Sequence, residues 1–211
     1  MTDEQRTAAC VAVGSELLGE EKLDRNSLTI TRAVARYGVR VTEKRVVGDD
    51  VDAISTALNE VLGRHDLVVL TGGLGPTADD VTRDAVARAL DRPIEHREEI
   101  VRQIRARYAA QGRDMPLYGP TMARVVEGSR VLVNDRGTAP GMLIPLRGRL
   151  LAVLPGPPWE MEEMLERDVL PELVLWNPGS ARLTRTVVLG GVFESDVEEC
   201  VRHLYDRFGR D

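Results

Sequence analysis

Residues 71–80 read Thr-Gly-Gly-Leu-Gly-Pro-Thr-Ala-Asp-Asp, and this stretch decides the fold. It follows the apolar run at residues 66–70, which predicts a buried strand, and it precedes residues 81–90, whose apolar spacing predicts a helix. A glycine-rich turn between a strand and the N-terminus of a helix directs backbone N–H groups into a crevice, where the helix dipole favours an anion. The two acids that end the stretch would repel a bare phosphate. The pattern therefore predicts a phosphate-handling site that also holds a divalent cation.

Two well-known phosphate-binding loops do not fit this stretch. A P-loop needs Lys and then Ser or Thr after its last glycine, but Pro76 follows Gly75. The dinucleotide-binding fingerprint needs the spacing G-x-G-x-x-G, which the glycines of this stretch do not provide. The alternative is a plain capping box, with Thr77 as the cap and Asp80 as the acid that answers it. Capping leaves the glycines and the second acid unexplained, so we favour ligand binding over capping alone.

The first half of the chain repeats the order of strand and helix. Strands are predicted at residues 8–13 and 39–47, and helices at residues 26–37 and 51–62. Strand–helix units in this succession form a parallel sheet that is covered on both faces. The predicted fold class is therefore α/β, a three-layer αβα sandwich with a mostly parallel sheet.

The second half continues this domain to residue 174 and then changes character. The pattern predicts helices at residues 97–110 and 159–169, a loop at 112–120, and strands at 129–133, 141–145 and 149–154. Residues 173–180 contain Pro178 and Gly179 and read as a linker. A strand at 183–189 and a helix at 195–208 follow. One strand and one helix cannot bury a core, so residues 175–211 are predicted to be a linker and part of a second domain.

Composition excludes several functional classes. The formal net charge of −6 argues against a nucleic-acid surface. The longest apolar runs are of strand length, which argues against a membrane span, and the polar N-terminus is unlike a signal peptide. Cys10 and Cys200 lie near opposite ends of the sequence and indicate reduced thiols. We therefore expect a cytoplasmic protein.

Several polar loops leave the carboxyl ends of predicted strands, where open parallel sheets bind their ligands. Their convergence would gather Glu16, Asp49, Asp50, Asp79 and Asp80 in one crevice. Carboxylates so close ionise together only beside a cation, and oxygen ligands indicate Mg²⁺, Mn²⁺ or a similar hard ion. Asp80 with Asp79 or Asp49 is the predicted metal-binding set. A carboxylate among Asp49, Asp50 and Glu16 is predicted to orient or deprotonate an attacking water.

Four stretches carry a resemblance to a known family. They are, in family order, VGSELL at residues 13–18, TGGLGPTADDVT at 71–82, GTAPG at 137–141 and LPGPPWEM at 154–161. Over about residues 8–174 the chain resembles the N-terminal domain of the competence/damage-inducible protein CinA. That domain belongs to the wider molybdopterin-binding fold of the molybdopterin adenylyltransferases. The tail resembles the start of a KH-like domain.

The resemblance implies a metal-dependent pyrophosphatase that cuts ADP-ribose to AMP and ribose 5-phosphate, with Mg²⁺, Mn²⁺ or Co²⁺ as cofactor. The alternatives are a molybdopterin-binding or adenylyltransferase-like protein, and a non-catalytic nucleotide- or pterin-binding module. Family likeness also implies a homo-oligomer, with a dimer favoured, and the partner is a small nucleotide or pterin. The residues expected to contact the ligand are Gly14, Ser15, Asn26, Thr71, Gly72, Gly73, Gly75, Thr77, Asn134, Gly137, Thr138, Ala139, Pro140, Gly141, Pro155, Gly156, Pro157, Pro158 and Glu160.

Overall fold

The computed structural model describes residues 6–176 and 187–209 of the chain. The strands in these ranges are β1 (Thr7–Val13), β2 (Arg40–Val47), β3 (Leu67–Thr71), β4 (Ile94–His96), β5 (Arg124–Val126), β6 (Arg130–Leu132), β7 (Gly141–Leu146) and β8 (Arg149–Leu154). The helices are α1 (Asn26–Ala35), α2 (Val51–Leu62), α3 (Thr82–Leu90), α4 (Glu98–Ala110), α5 (Pro158–Met164), α6 (Leu170–Trp176) and α7 (Glu194–Phe208). Within the same ranges, no helix is both long and apolar enough to cross a membrane.

The main sheet has the strand order β2-β1-β3-β8-β7-β6. The strands β2, β1, β3 and β8 run parallel, and β7 and β6 continue the sheet in antiparallel pairs. Every residue of β3 and nearly every residue of β1 is buried. Parallel strands need this apolar composition because helices cover both of their faces. The predicted α/β class with a mostly parallel sheet is confirmed.

The alternation of side chains along β1 separates two layers of core. Ala9 and Val11 belong to a cluster with the apolar faces of α2, α3 and α4, and Ala8 and Cys10 belong to a cluster with those of α1, α5 and α6. Burial raises the pKa of the Cys10 thiol to about 12, so this side chain is a packing group and not a nucleophile. The three-layer arrangement predicted from the sequence is thus the one observed.

The helix after β8 is longer than predicted. It continues from α5 through a π-helical segment, Leu165–Val169, into α6. Leu173 is fully buried in the core. The prediction that a linker begins at residue 173 was therefore wrong for residues 173–176, which are helical. Residues 177–180 of the predicted linker lie outside the described ranges. Pro171 has no N–H to give to the carbonyl four residues earlier, and the wider π turn lies directly before it.

The structure also contains a second, small sheet that was not predicted from the sequence. Strands β4 and β5 pair antiparallel, with Ile94 opposite Val126 and His96 opposite Arg124. Each strand has only three residues, which is too short to show an alternating pattern. Val125 and Val126 are buried against the α2–α4 layer. Their burial explains why a stretch with so little pattern is ordered.

The C-terminal extension contains the helix that was predicted from the sequence. The helix predicted at residues 195–208 is observed as α7, and none of its side chains is buried. The strand predicted at 183–189 lies outside the described residues up to 186, and residues 187–189 are not in a strand.

Candidate functional site

A cavity of about 730 Å³ opens at the carboxyl ends of the parallel strands. Its wall combines the loops that follow β1, β2, β3 and β8 with the segment before α1 and the turn before β7. This is the edge at which open α/β sheets bind ligands. The structure therefore brings together loops that are far apart in the sequence.

Most of the predicted site residues line this cavity. They are Gly14, Glu16, Asn26, Asp49, Thr71, Gly72, Gly73, Gly75, Thr77, Asp79, Asp80, Thr138, Ala139, Pro155, Gly156, Pro157, Pro158 and Glu160. The predicted residues that lie outside its wall are Ser15, Asp50, Asn134, Gly137, Pro140 and Gly141.

Asp80 holds the glycine-rich turn in shape. Its carboxylate accepts hydrogen bonds from the Gly75 N–H at 2.7 Å, the Thr77 N–H at 2.8 Å and the Thr77 hydroxyl at 2.5 Å. One of the two contacts of a capping box is therefore present, since Asp80 accepts from the Thr77 N–H, but the Asp80 N–H donates to the Thr77 carbonyl and not to its hydroxyl. These bonds close the turn at residues 77–80, and α3 begins only at Thr82. The Gly75 N–H, predicted to hold a phosphate oxygen, points at Asp80 instead.

Gly72 and Gly73 are required by close packing. A side chain at Gly72 would place its Cβ 2.2 Å from the Val13 carbonyl oxygen, and one at Gly73 would lie 2.3 Å from the Thr82 hydroxyl. Both residues also have positive φ angles, 101° and 65°, which glycine adopts without strain. The Gly72 N–H donates to the Leu154 carbonyl at 3.0 Å. The turn is thereby fastened to β1, β8 and α3.

Four N–H groups in residues 71–80, those of Gly73, Leu74, Ala78 and Asp79, have no hydrogen-bond partner among the described residues. Gly73 and Leu74 are adjacent, and both residues line the cavity. Adjacent backbone N–H groups of this kind can receive an anion or another acceptor. Of the three predicted phosphate-binding glycines, Gly73 is thus the one whose N–H is available.

The loops after β1 and β2 are joined by a pair of hydrogen bonds. The Ser15 N–H donates to Asp49 Oδ2 at 2.7 Å, and the Asp49 N–H donates to the Ser15 hydroxyl at 3.1 Å. Asp50 has a different task, since its carboxylate accepts from the Ala53 N–H at 2.8 Å and caps α2. The predicted roles of Asp50 in water activation and of Ser15 in ligand contact have no geometric support, because both residues lie outside the cavity wall.

The opposite wall depends on Asn134, which is buried. Its oxygen accepts from the N–H groups of Arg136 at 3.1 Å and Gly137 at 2.7 Å. Its nitrogen donates to the Ala139 carbonyl at 2.9 Å and to Glu160 Oε2 at 2.6 Å. Asn134 therefore shapes the turn that presents Ala139 and orients Glu160 in the wall.

Ion pairs anchor this turn. Asp135 accepts from Arg107 at 3.0 Å and also pairs with Arg167, and Arg136 pairs with Glu163 at 2.6 Å. These contacts tie the turn to α4 and to the long helix after β8. Asp135 and Arg136 therefore act in anchoring, and both lie outside the cavity wall.

The segment before α1 was largely missed by the sequence reasoning. Lys22, Leu23, Asp24 and Arg25 line the cavity together with Asn26. The available signal was Asp24, whose carboxylate accepts from the Ser27 N–H at 3.0 Å and so marks the start of the helix.

The acids of the cavity do not form a complete metal site. Within the described ranges, no group of three or more His, Cys, Asp or Glu side chains is placed to hold a metal ion. Asp80 and Asp49 already accept the hydrogen bonds given above. Asp79 is exposed, and its carboxylate has no hydrogen bond or ion pair to any described residue. A divalent cation here would need further oxygen ligands from the bound molecule. The metal set Asp79, Asp80 and Asp49 stays a prediction.

A buried charge lies beneath the glycine-rich turn. Arg83 is 3% exposed, and its Nη2 has no hydrogen bond to any described residue. Burial lowers the pKa of Arg83 to about 10, and the nearby charge of Asp80 opposes that shift. The buried charge of Arg83 therefore destabilises the folded state.

The comparisons with known proteins agree with this geometry. Residues 9–174 match the family model described as "Probable molybdopterin binding domain". A CinA-like protein of Solibacter usitatus is 40% identical over 201 residues, covering 95% of this chain and 48% of that protein. The chain thus spans about half the length of such relatives.

Solved structures show the same fold. The CinA protein of Thermoplasma acidophilum, whose function is described as unknown, is 33% identical with a TM-score of 0.71, over 76% of this chain and 94% of that one. A molybdopterin biosynthesis protein of Mycobacterium abscessus is 23% identical with a TM-score of 0.54, over 81% and 92% of the two chains. This chain therefore belongs to the molybdopterin-binding domain family and, within it, to the CinA-like proteins.

Proposed function

We propose that the cavity binds a phosphate-bearing pterin or nucleotide, with molybdopterin as the first candidate. The observation that carries the proposal is the pair of unpaired N–H groups at Gly73 and Leu74 in the cavity wall. They are suited to a phosphate oxygen because that group is an acceptor and bears charge. The family match to a molybdopterin-binding domain supports the pterin, and the cavity volume of about 730 Å³ is in the range of small-molecule sites.

The cavity wall carries more acidic than basic residues, which affects how an anionic ligand can bind. The acids of the cavity wall are Glu16, Asp24, Asp49, Asp79, Asp80 and Glu160, and its basic residues are Lys22 and Arg25. A ligand with two or more negative charges would be repelled by this excess of carboxylates. We therefore expect binding to be stronger when a divalent cation accompanies the ligand.

Equilibrium dialysis of the purified chain with molybdopterin, with and without Mg²⁺, tests the proposal. We expect saturable binding of one ligand per chain, and about tenfold weaker binding for Asp79→Asn in the presence of Mg²⁺. Asp79 suits the test because its exposed carboxylate has no partner in the described chain, so the fold is not disturbed. Asp114→Asn is the matched control, since Asp114 is exposed and outside the cavity. No binding of molybdopterin or of ADP-ribose under any metal would contradict the proposal.

Hydrolysis of ADP-ribose is the second candidate, and the available carboxylate of Asp79 is the observation that favours it. An incubation with ADP-ribose and Mg²⁺, Mn²⁺ or Co²⁺ distinguishes the candidate functions. The release of AMP is followed chromatographically. Metal-dependent AMP that is lost in Asp79→Asn would establish a hydrolase. Consumption of ATP only in the presence of the pterin would establish an adenylyltransferase, and binding without turnover would leave a binding module.

A further inference from the structure

Trp159 is a largely exposed tryptophan in the wall of the cavity. The residue is 57% exposed, and it lines the cavity at the start of α5. In the part of the chain that the structure describes, its indole makes no hydrogen bond or ring contact, and it belongs to neither core cluster. A tryptophan side chain offers roughly 150–250 Å² of surface for burial. The fold uses little of that surface, so the ring remains available to a bound molecule.

A second exposed apolar side chain lines the same cavity. Leu23, in the segment before α1, is 83% exposed. Asn26 follows in that segment, and its amide nitrogen donates to the Gly156 carbonyl at 2.8 Å, in the turn that leads to Trp159. The segments that carry the two apolar side chains are therefore fastened to each other at the cavity. Small-molecule sites combine apolar surface of this kind with a few polar groups.

The turn between β8 and α5 also contacts the glycine-rich turn. The Gly72 N–H donates to the Leu154 carbonyl at 3.0 Å, and a Cβ at Gly156 would lie 3.4 Å from the Gly72 Cα. The segment leading to Trp159 thus lies beside the loop whose Gly73 N–H has no acceptor among the described residues. The cavity wall therefore combines hydrogen-bond donors suited to a phosphate with an exposed aromatic face.

We propose that the indole of Trp159 stacks on the planar ring of the bound ligand, and that Leu23 adds apolar contact to the same ring. This inference rests on the proposed function, since it concerns a ligand of the same cavity. Pterin and adenine share a flat aromatic face, and an indole stacks on such a face whatever polar groups the edge of the ring carries. Trp159 thereby selects ligands that have an aromatic ring over phosphate compounds that have none.

The experiment measures ligand affinity by isothermal titration in the presence of Mg²⁺. Its adenine arm uses ADP-ribose, its pterin arm uses molybdopterin, and inorganic pyrophosphate is the ligand without a ring. Trp159→Leu keeps an apolar side chain but removes the aromatic face. We expect it to weaken binding in at least one arm by roughly 5- to 100-fold, the effect of one lost stacking contact. The arm that responds identifies the ring as adenine or pterin.

Two further variants separate stacking from a structural role. Trp159→Phe restores an aromatic face, so its affinity should stay within about threefold of the unmodified chain. Trp176→Phe is the matched control, because Trp176 lies outside the cavity wall and packs under Arg6, with the guanidinium carbon 4.0 Å from the ring centroid. Its affinity should be unchanged. Pyrophosphate should bind Trp159→Leu and the unmodified chain equally, since it has no ring to stack.

Fluorescence gives a second readout, because the chain has only two tryptophans. Trp176→Phe leaves Trp159 as the emitting residue, and Trp159→Phe leaves Trp176. A ring stacked on an indole quenches its emission. Saturation with the ligand that binds in the titration, ADP-ribose or molybdopterin, should therefore quench Trp159 more strongly than Trp176.

Three results would overturn the inference. Unchanged affinity of Trp159→Leu in every arm that binds would show that the indole makes no contact with the ligand. Equal weakening in Trp159→Leu and Trp159→Phe would show that the aromatic face is not what matters. Unchanged affinity with an altered mass in light scattering would assign Trp159 to a contact between copies of the chain. Binding of neither ADP-ribose nor molybdopterin by the unmodified chain would instead count against the proposed function, so the two failures are distinguishable.

Discussion

The cavity has two walls that use their polar groups differently. In the glycine-rich wall, residues 71–80, Asp80 accepts hydrogen bonds from its own loop, and the adjacent N–H groups of Gly73 and Leu74 have no acceptor among the described residues. In the α1 wall, residues 22–26, Asn26 anchors the turn after β8 through its nitrogen, and its buried oxygen has no donor in the part of the chain that is described. The comparison indicates that the conspicuous side chains of the glycine-rich wall mainly hold the backbone in place. The proposed ligand contacts are backbone N–H groups that have no acceptor in the described chain.

Removing glycine at position 72 should have the largest effect on the glycine-rich wall. Gly72→Ala places a Cβ 2.2 Å from the Val13 carbonyl at a φ of 101°, and we expect a loss of about 3 kcal/mol in the free energy of unfolding. Urea denaturation would measure it. Gly156→Ala is the control, since its Cβ would lie 3.4 Å from the Gly72 Cα and its cost should stay below about 1 kcal/mol. Equal costs for both variants would contradict the packing argument.

Neutralising Asp80 should come next in size. Asp80→Asn keeps the shape of the side chain but puts an N–H₂ group where one carboxylate oxygen accepts from the turn. We expect a loss of about 2 kcal/mol, together with weaker ligand binding because the turn loosens. Chemical denaturation would measure the first and dialysis the second. If Asp80→Asn were as stable as Asp114→Asn, the scaffolding role of Asp80 would be wrong.

Replacing Arg83, unlike replacing Gly72 or Asp80, should not lower the free energy of unfolding. The pKa of Arg83 is lowered to about 10 by burial, so the folded state disfavours the charged form that prevails at pH 7. That cost is fully present below pH 10 and declines as the pH rises through the folded value towards the unfolded one. Arg83→Met should therefore leave the free energy of unfolding unchanged or raise it by up to about 1 kcal/mol. A loss above about 1 kcal/mol would mean that the guanidinium supports Asp80.

The smallest effect on stability is expected at Ser15, in the exposed junction between the loops after β1 and β2. Ser15→Ala removes the hydroxyl that accepts from the Asp49 N–H at 3.1 Å, at an exposed position. The expected loss is about 0.5 kcal/mol, because water replaces the hydroxyl. Thermal unfolding at matched concentrations would detect it. A loss above about 1.5 kcal/mol would show that this junction is coupled to the rest of the wall.

Part of the site could be predicted and part could not. The convergence of the loops followed from the order of strands and helices, because the carboxyl ends of parallel strands share one edge. The roles within the loops did not follow. Asp50 is predicted to be a site acid, yet its carboxylate caps α2. Asn134 is predicted to contact the ligand, yet its amide bonds to its own turn and to Glu160. Sequence spacing does not tell whether a polar atom faces its own backbone or a cavity.

The sequence by itself determined the α/β class, the mostly parallel sheet and the glycine-rich turn, because apolar periodicity and backbone requirements act over a few neighbouring residues. Only the tertiary structure decided that the helix after β8 runs on to Trp176, and that Arg83 Nη2 and the Asn26 oxygen are buried without a hydrogen-bond partner among the described residues. Each of these depends on which distant segments pack together. Hydrogen-bond satisfaction is a property of such contacts, so it cannot be read from residue types alone.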